Sequence, residues 1–116
     1  MRARDTSPTL KVMPRDQETD VPRDATLLFT APRRVDHLSA SGLRVRTEDR
    51  DVEGVLDISS DGRILFWRPI QAMEARARHR ITLSGVRDER GTVFDDLSST
   101  FVTGGFSYLD LLLMLE

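Results

Sequence analysis

A chain of 116 residues with a formal net charge of -2 is long enough for one domain and one core, and has no overall bias toward nucleic acid or acidic lipid. The absence of cysteine excludes disulfides, a thiol nucleophile and a thiolate metal site. Among the 17 basic residues every one but Lys11 is arginine, a bias that reflects a GC-rich genome more than chemistry.

Residues 1–7 are polar and read as a disordered lead. The start Met1-Arg2-Ala3-Arg4-Asp5 shows no signal peptide, which implies a cytoplasmic product or a piece of a longer exported one. Pro8 to Pro14 forms a short proline-bounded strand of the kind found at a sheet edge. Arg15 to Asp24 reads as a charged loop with Val21-Pro22 as a foothold. Ala25 to Ala31 is the second strand, with Leu27, Phe29 and Ala31 on one face and Leu28 on the other. Leu43-Arg44-Val45-Arg46-Thr47 alternates apolar residues with arginine, the signature of a strand with one dry face and one wet face. Asp51 to Ser59 follows the same rule, with Leu56 and Ile58 inward and Glu53, Val55 and Asp57 outward.

The Asp61-Gly62 turn then feeds Ile64-Leu65-Phe66-Trp67-Arg68, which Pro69 ends. Both faces of this strand are apolar: Leu65 and Trp67 point one way, Ile64 and Phe66 the other. Ile70 to Ala75 is a crossing loop anchored by Met73. Ala77 to Leu83 sends His79, Ile81 and Leu83 inward, and Leu97 to Thr103 closes the set with Phe101 inward. Seven short strands with frequent turn signals predict an all-β fold, a seven-stranded antiparallel sandwich. Residues 106–116 form an apolar tail too short to span a bilayer, whose composition favours a short helix over a strand.

Several stretches occur together in the order of one family: Pro14 to Pro22, Ala25-Thr26-Leu27, Val35-Asp36, Asp61-Gly62 into Leu65 and Pro69, Ser84-Gly85-Val86 with Asp88 and Gly91, and Thr100-Phe101-Val102-Thr103-Gly104. The chain resembles the bacterial Ig-like domain of the surface-layer-protein (SbsA) type. Over residues 8–105 that resemblance implies a seven-stranded Ig- or fibronectin-like sandwich, used as a repeated spacer or adhesion module in exported bacterial proteins, hence a place in the cell envelope or outside the cell. Three positions depart from the family pattern. His79 stands where a tyrosine is usual, Ala31 where an aromatic is common, and Thr92 where asparagine is frequent.

No catalytic constellation is assembled, and no cofactor is implied. A fainter likeness, to copper-resistance carriers of similar fold, rests on His37 and His79 with Met13 or Met73, without that family's N-terminal histidine and methionine-rich loop. Asp16, Asp20, Asp88, Asp95 and Asp96 could offer oxygens to calcium, but they lie where aspartate is chosen for turn hydrogen bonds. Arg44 and Arg46 point outward from one strand, and Arg78 and Arg80 from a strand that neighbours it in such a sandwich. They form one basic patch, suited to an anionic partner or to an ion-pair ladder with Glu53 and Asp57. Leu28, Ile64 and Phe66 form a second, apolar patch. Tyr108, Leu109 and Leu112 of the tail are expected to cover it or to meet it on a second copy in a homodimer, whereas an exposed tail would instead mark a lost neighbouring domain. The resulting expectation is a non-enzymatic structural or adhesion module that binds a protein or glycan partner, with no nucleic acid and no membrane insertion. The alternative is a periplasmic copper carrier.

Overall fold

The computed structural model describes residues 8–115. The disordered lead expected for residues 1–7 lies outside the described residues. Nine strands are present among the described residues: β1 (Lys11–Met13), β2 (Glu18–Val21), β3 (Leu27–Thr30), β4 (Leu43–Thr47), β5 (Arg50–Asp51), β6 (Gly54–Ile58), β7 (Ile64–Pro69), β8 (Arg78–Leu83) and β9 (Leu97–Thr103), with a 3-10 turn at His37–Gly42 and a helix α1 at Tyr108–Leu113. They form a four-stranded sheet in the order β1-β3-β7-β6 and a five-stranded sheet in the order β2-β9-β8-β4-β5.

Two features correct the expected seven-stranded antiparallel arrangement. The charged stretch after Pro14 is not all loop, because β2 pairs with the last strand β9, and the pairing is parallel. The segment Asp51 to Ser59 is not one strand either. Its first residues fold back beside β4 as β5, and the chain then crosses at Val52-Glu53 to join the other sheet as β6.

One core lies between the sheets. Leu27, Phe29, Leu65 and Trp67 from the first sheet meet Val45, Ile81, Leu83 and Phe101 from the second. Trp67 is 5% exposed and stands opposite Leu27 on one side and Leu56 on the other, as the alternation implies. Its indole lies against Gly54, where any Cβ would run into the ring, so the glycine is required by close approach. Leu56 and Ile58 face inward but are half-buried, while Val55 and Asp57 are exposed.

The two ends of the core are closed differently. At one end Val35, Val86 and Phe94 are buried beneath the connections, and the Asp95 N–H donates to the Pro8 carbonyl at 2.9 Å. Phe94 gives no periodic signal in the sequence. At the other end Met73, anchored as expected, donates its N–H to the Arg23 carbonyl at 2.8 Å, and the Thr103 hydroxyl donates to the Glu74 carbonyl at 2.5 Å. The seven-residue strand β9 runs from the first end to the second, roughly 20–24 Å. The chain therefore enters the described fold at one end of the sheets and leaves at the other.

Candidate functional site

The outward alternation of β4 and β8 decides where the arginines fall. These strands pair antiparallel, with Arg46 directly opposite Arg80, Arg44 opposite Thr82, and Thr47 opposite His79. Residues opposite one another share a face, so Arg44, Arg46, Arg78 and Arg80 all project from the outer face of the second sheet. All four are exposed.

The expected ion-pair ladder with Glu53 and Asp57 is not formed. Asp57 lies on the other sheet and pairs with Arg68 at 3.7 Å, while Glu53 sits in the crossing segment, where its carbonyl accepts the Ile70 N–H at 3.0 Å. The counter-charge is instead Asp51 of β5, which takes Arg46 at 3.1 Å and Arg44 at 3.7 Å. One carboxylate thus serves two arginines. Arg80 reaches Ser98 at 3.4 Å, and no described carboxylate pairs with Arg76, Arg78 or Arg80.

Arg46, Arg78 and Arg80 line a groove of about 690 Å³ together with Arg76, which the sequence reading did not single out. Arg76 has a left-handed backbone (φ 51°) and donates its N–H to the Gly104 carbonyl at 3.1 Å. Its guanidinium lies against Gly105, where a Cβ would overlap it. The signal available in the sequence was its spacing, since Arg76, Arg78 and Arg80 recur at every second residue. Glu48, Asp49 and Glu74 border the same groove, and Arg50 holds Glu74 at 2.7 Å.

Beneath this face, His79 is fully buried and stacks on Phe101 with ring centroids 5.1 Å apart. Its Nδ1 lies 3.0 Å from the Ala77 carbonyl, an acceptor, so Nδ1 carries the proton and Nε2 has no hydrogen-bond partner among the described residues. Burial holds the imidazole below its ordinary pKa, against the opposing pull of the Ala77 carbonyl and the Glu74 charge.

The residues considered for copper do not converge. His37 is exposed on the 3-10 turn that precedes Leu43, whereas His79 is buried opposite Thr47 at the far end of β4. Met73 is in the core, and Met13 is exposed on the other sheet. Two of the five aspartates considered for calcium, Asp16 and Asp88, serve the backbone. Asp16 accepts the Thr100 N–H at 2.9 Å, and Asp88 accepts the N–H groups of Arg90 and Thr92, each at 2.9 Å. Burial pushes the Asp88 carboxyl up, but the Thr92 N–H, Arg33 and the Arg90 N–H outweigh it and hold the group below the usual carboxylate range. Among the described residues no three His, Asp or Glu side chains gather as a metal site.

The apolar patch is where alternation puts it. Leu28 stands opposite both Phe66 and Met13, and Thr30 opposite Ile64, on the outer face of the first sheet. Leu28, Ile64 and Phe66 are half-buried. The tail does form a helix, but it does not cover this patch within the chain: Tyr108, Leu109 and Leu112 are 53%, 59% and 62% exposed. The reason lies at the helix start. Asp24 accepts the N–H groups of Tyr108 at 2.7 Å and Leu109 at 3.2 Å, while Ser107 and Asp110 cap each other reciprocally. The Arg23 N–H holds the Phe106 carbonyl at 2.9 Å. These bonds fix the first turn to the end of the sheets and leave the leucines uncovered.

No family model matches the chain, and no curated protein matches it. Its fold is similar to that of domains from bacterial surface-layer proteins. The N-terminal part of the bacterial S-layer protein SbsC aligns with a TM-score of 0.64 at 13% identity, over 85% of this chain and 24% of that one. A structure of SbsC domains 1–6 aligns equally well, with 14% of its length covered. An L,D-transpeptidase from Mycobacterium smegmatis aligns with a TM-score of 0.62 at 18% identity, over 85% of this chain and 41% of that one. The chain spans less than half the length of each of these proteins.

Proposed function

We propose that this chain is a non-enzymatic Ig-like module of the SbsA type, serving as a structural or adhesive unit that contacts a protein or glycan partner in a bacterial envelope or surface assembly. The observation that carries the proposal is the polarity of the fold. Pro8 is bonded at one end of the sheets, the segment leading into α1 is bonded at the other, and the long dimension is 55 Å against 29 and 24 Å. A domain entered and left at opposite ends adds length to a chain of domains. The likeness to domains of SbsC supports the same use.

Fractionating cells of the source organism, with antibody against the domain, tests this reading. A protein that external protease removes from intact cells supports it, and one confined to the cytosol overturns it. A second reading, a companion to a catalytic domain, draws on the likeness to the L,D-transpeptidase. Gene sequence flanking residues 1 and 116 separates the two, since adjoining Ig-like modules support the first and a catalytic domain the second.

The exposed leucines of α1 give the homodimer its basis, because large uncovered apolar surfaces mark contact sites. If they join two copies, the whole chain has a dimer's mass in solution and a chain lacking residues 106–116 has a monomer's. A monomeric whole chain removes the dimer and leaves the module reading intact.

A further inference from the structure

We infer that the groove between the β4–β5 hairpin and the start of β8 binds a linear anionic glycopolymer through Arg76, Arg78 and Arg80. This rests on the envelope reading above for the setting in which such polymers are met. Arg78 and Arg80 stand two residues apart on extended β8, about 6.6 Å from one another, and Arg76, which precedes the strand on a left-handed backbone, lines the same groove. Arg46, directly opposite Arg80, widens the row by one strand. Guanidinium groups gathered along one groove match a polymer with an anion on successive or alternate units, because each guanidinium takes a carboxylate or phosphate in planar, two-point geometry.

The state of the charges favours a ligand over an internal ladder. Arg44 and Arg46 share Asp51, and Arg50 is occupied by Glu74. Arg76, Arg78 and Arg80 have no carboxylate partner among the described residues. Glu48 and Asp49 lie at the tip of the β4–β5 hairpin, so an anionic chain would run along β8, to the side of them.

The lining also discriminates between classes of polyanion. It contains no aromatic side chain, and binding of single-stranded nucleic acid draws on aromatic platforms for its bases. Its apolar members are Ala75 and Ala77, too small to anchor a protein partner in the way buried aromatic residues do. Charge on the ligand is what this surface can recognise. Carboxylate and phosphodiester glycopolymers share that chemistry.

Isothermal titration of the full 116-residue chain at low ionic strength with polygalacturonate, poly(glycerol phosphate), neutral dextran and oligothymidylate tests the assignment. The expected result is binding of one or both anionic glycopolymers, weakening as salt is raised, with no binding of dextran. Which of the two binds tells carboxylate from phosphodiester. Arg78→Gln with Arg80→Gln should lose about tenfold or more in affinity, at an unchanged melting temperature because both residues are exposed, whereas Arg15→Gln should lose none. Each single variant repeats the test if the pair melts early. The inference is overturned if neither glycopolymer binds, if dextran binds equally, if the double variant binds as the parent does, or if oligothymidylate binds more tightly than both. None of these outcomes bears on the surface location of the module, which the fractionation decides separately.

Discussion

His79 carries a cost that the rest of the core does not. Its buried Nε2 has no hydrogen-bond partner among the described residues, so a second proton on the ring would be a buried charge that none of them pairs. Because its folded pKa lies below the ordinary value of about 6.5, the unfolded chain takes up the proton first as pH falls. Stability conferred by the neutral ring is therefore whole above about pH 6.5 and is lost as pH drops toward the folded pKa, with a slope of at most about 1.4 kcal/mol per pH unit. Denaturant melts of the parent and His79→Leu across pH 5–8 should show that slope in the parent alone. A parent curve flat through this window would contradict the burial. The carboxyl of Asp61, held low by the Ser59 hydroxyl and the Arg63 N–H, and that of Asp88 lose their contribution in a separate window, below about pH 4. Trp67 is the other costly position. Trp67→Ala should destabilise by about 3–5 kcal/mol, out of a total of about 5–15 for a domain of this kind. Gly54→Ala should also destabilise, since the new methyl group and the indole cannot share the same space. A melt of Trp67→Ala within a degree or two of the parent would refute the inward placement.

The strands legible in the sequence are those whose neighbours impose alternation: β3, β4, β7, β8 and β9 each bury one face, and their inward residues Leu27, Phe29, Trp67, Ile81 and Phe101 follow from period two. β2 and β5 were not legible. Glu18, Thr19, Asp20, Arg50 and Asp51 are all exposed, so their strand form comes from the partner's backbone and leaves no hydrophobic pattern. The outward arginines were readable for the same reason as the inward core, but their counter-ion was not. That required knowing where the chain turns back beside β4 and where it crosses to the other sheet. The tail's helical form followed from composition, whereas its anchoring depends on Asp24, 84 residues before Tyr108. Asp24→Ala should remove about 0.5–2 kcal/mol from the first helical turn. Faster amide exchange at Tyr108 and Leu109, with β3 and β7 protected as before, is the expected signature. Unchanged exchange at these two amides would mean that the local capping box suffices.

For the whole molecule, the parallel pairing of β2 with β9 has a mechanical meaning. If tension is applied at Pro8 and at Gly105, β2 is dragged toward one end of the molecule and β9 toward the other, so their backbone bonds are loaded together, in shear. β1 is drawn along its own axis past antiparallel β3 in the same way. Bonds loaded side by side must fail together, whereas bonds at a peeling edge fail one after another. Single-molecule stretching between residues 8 and 105 should therefore need more force to unfold the domain than stretching between residues 23 and 105, which opens the β2–β9 pair from its end. Equal forces would argue against this pair as the resisting element. Such a domain would act as a stiff link along its length and a weak one across it, and the bonds from Asp24 to α1 would carry the strain onward as a fixed bracket.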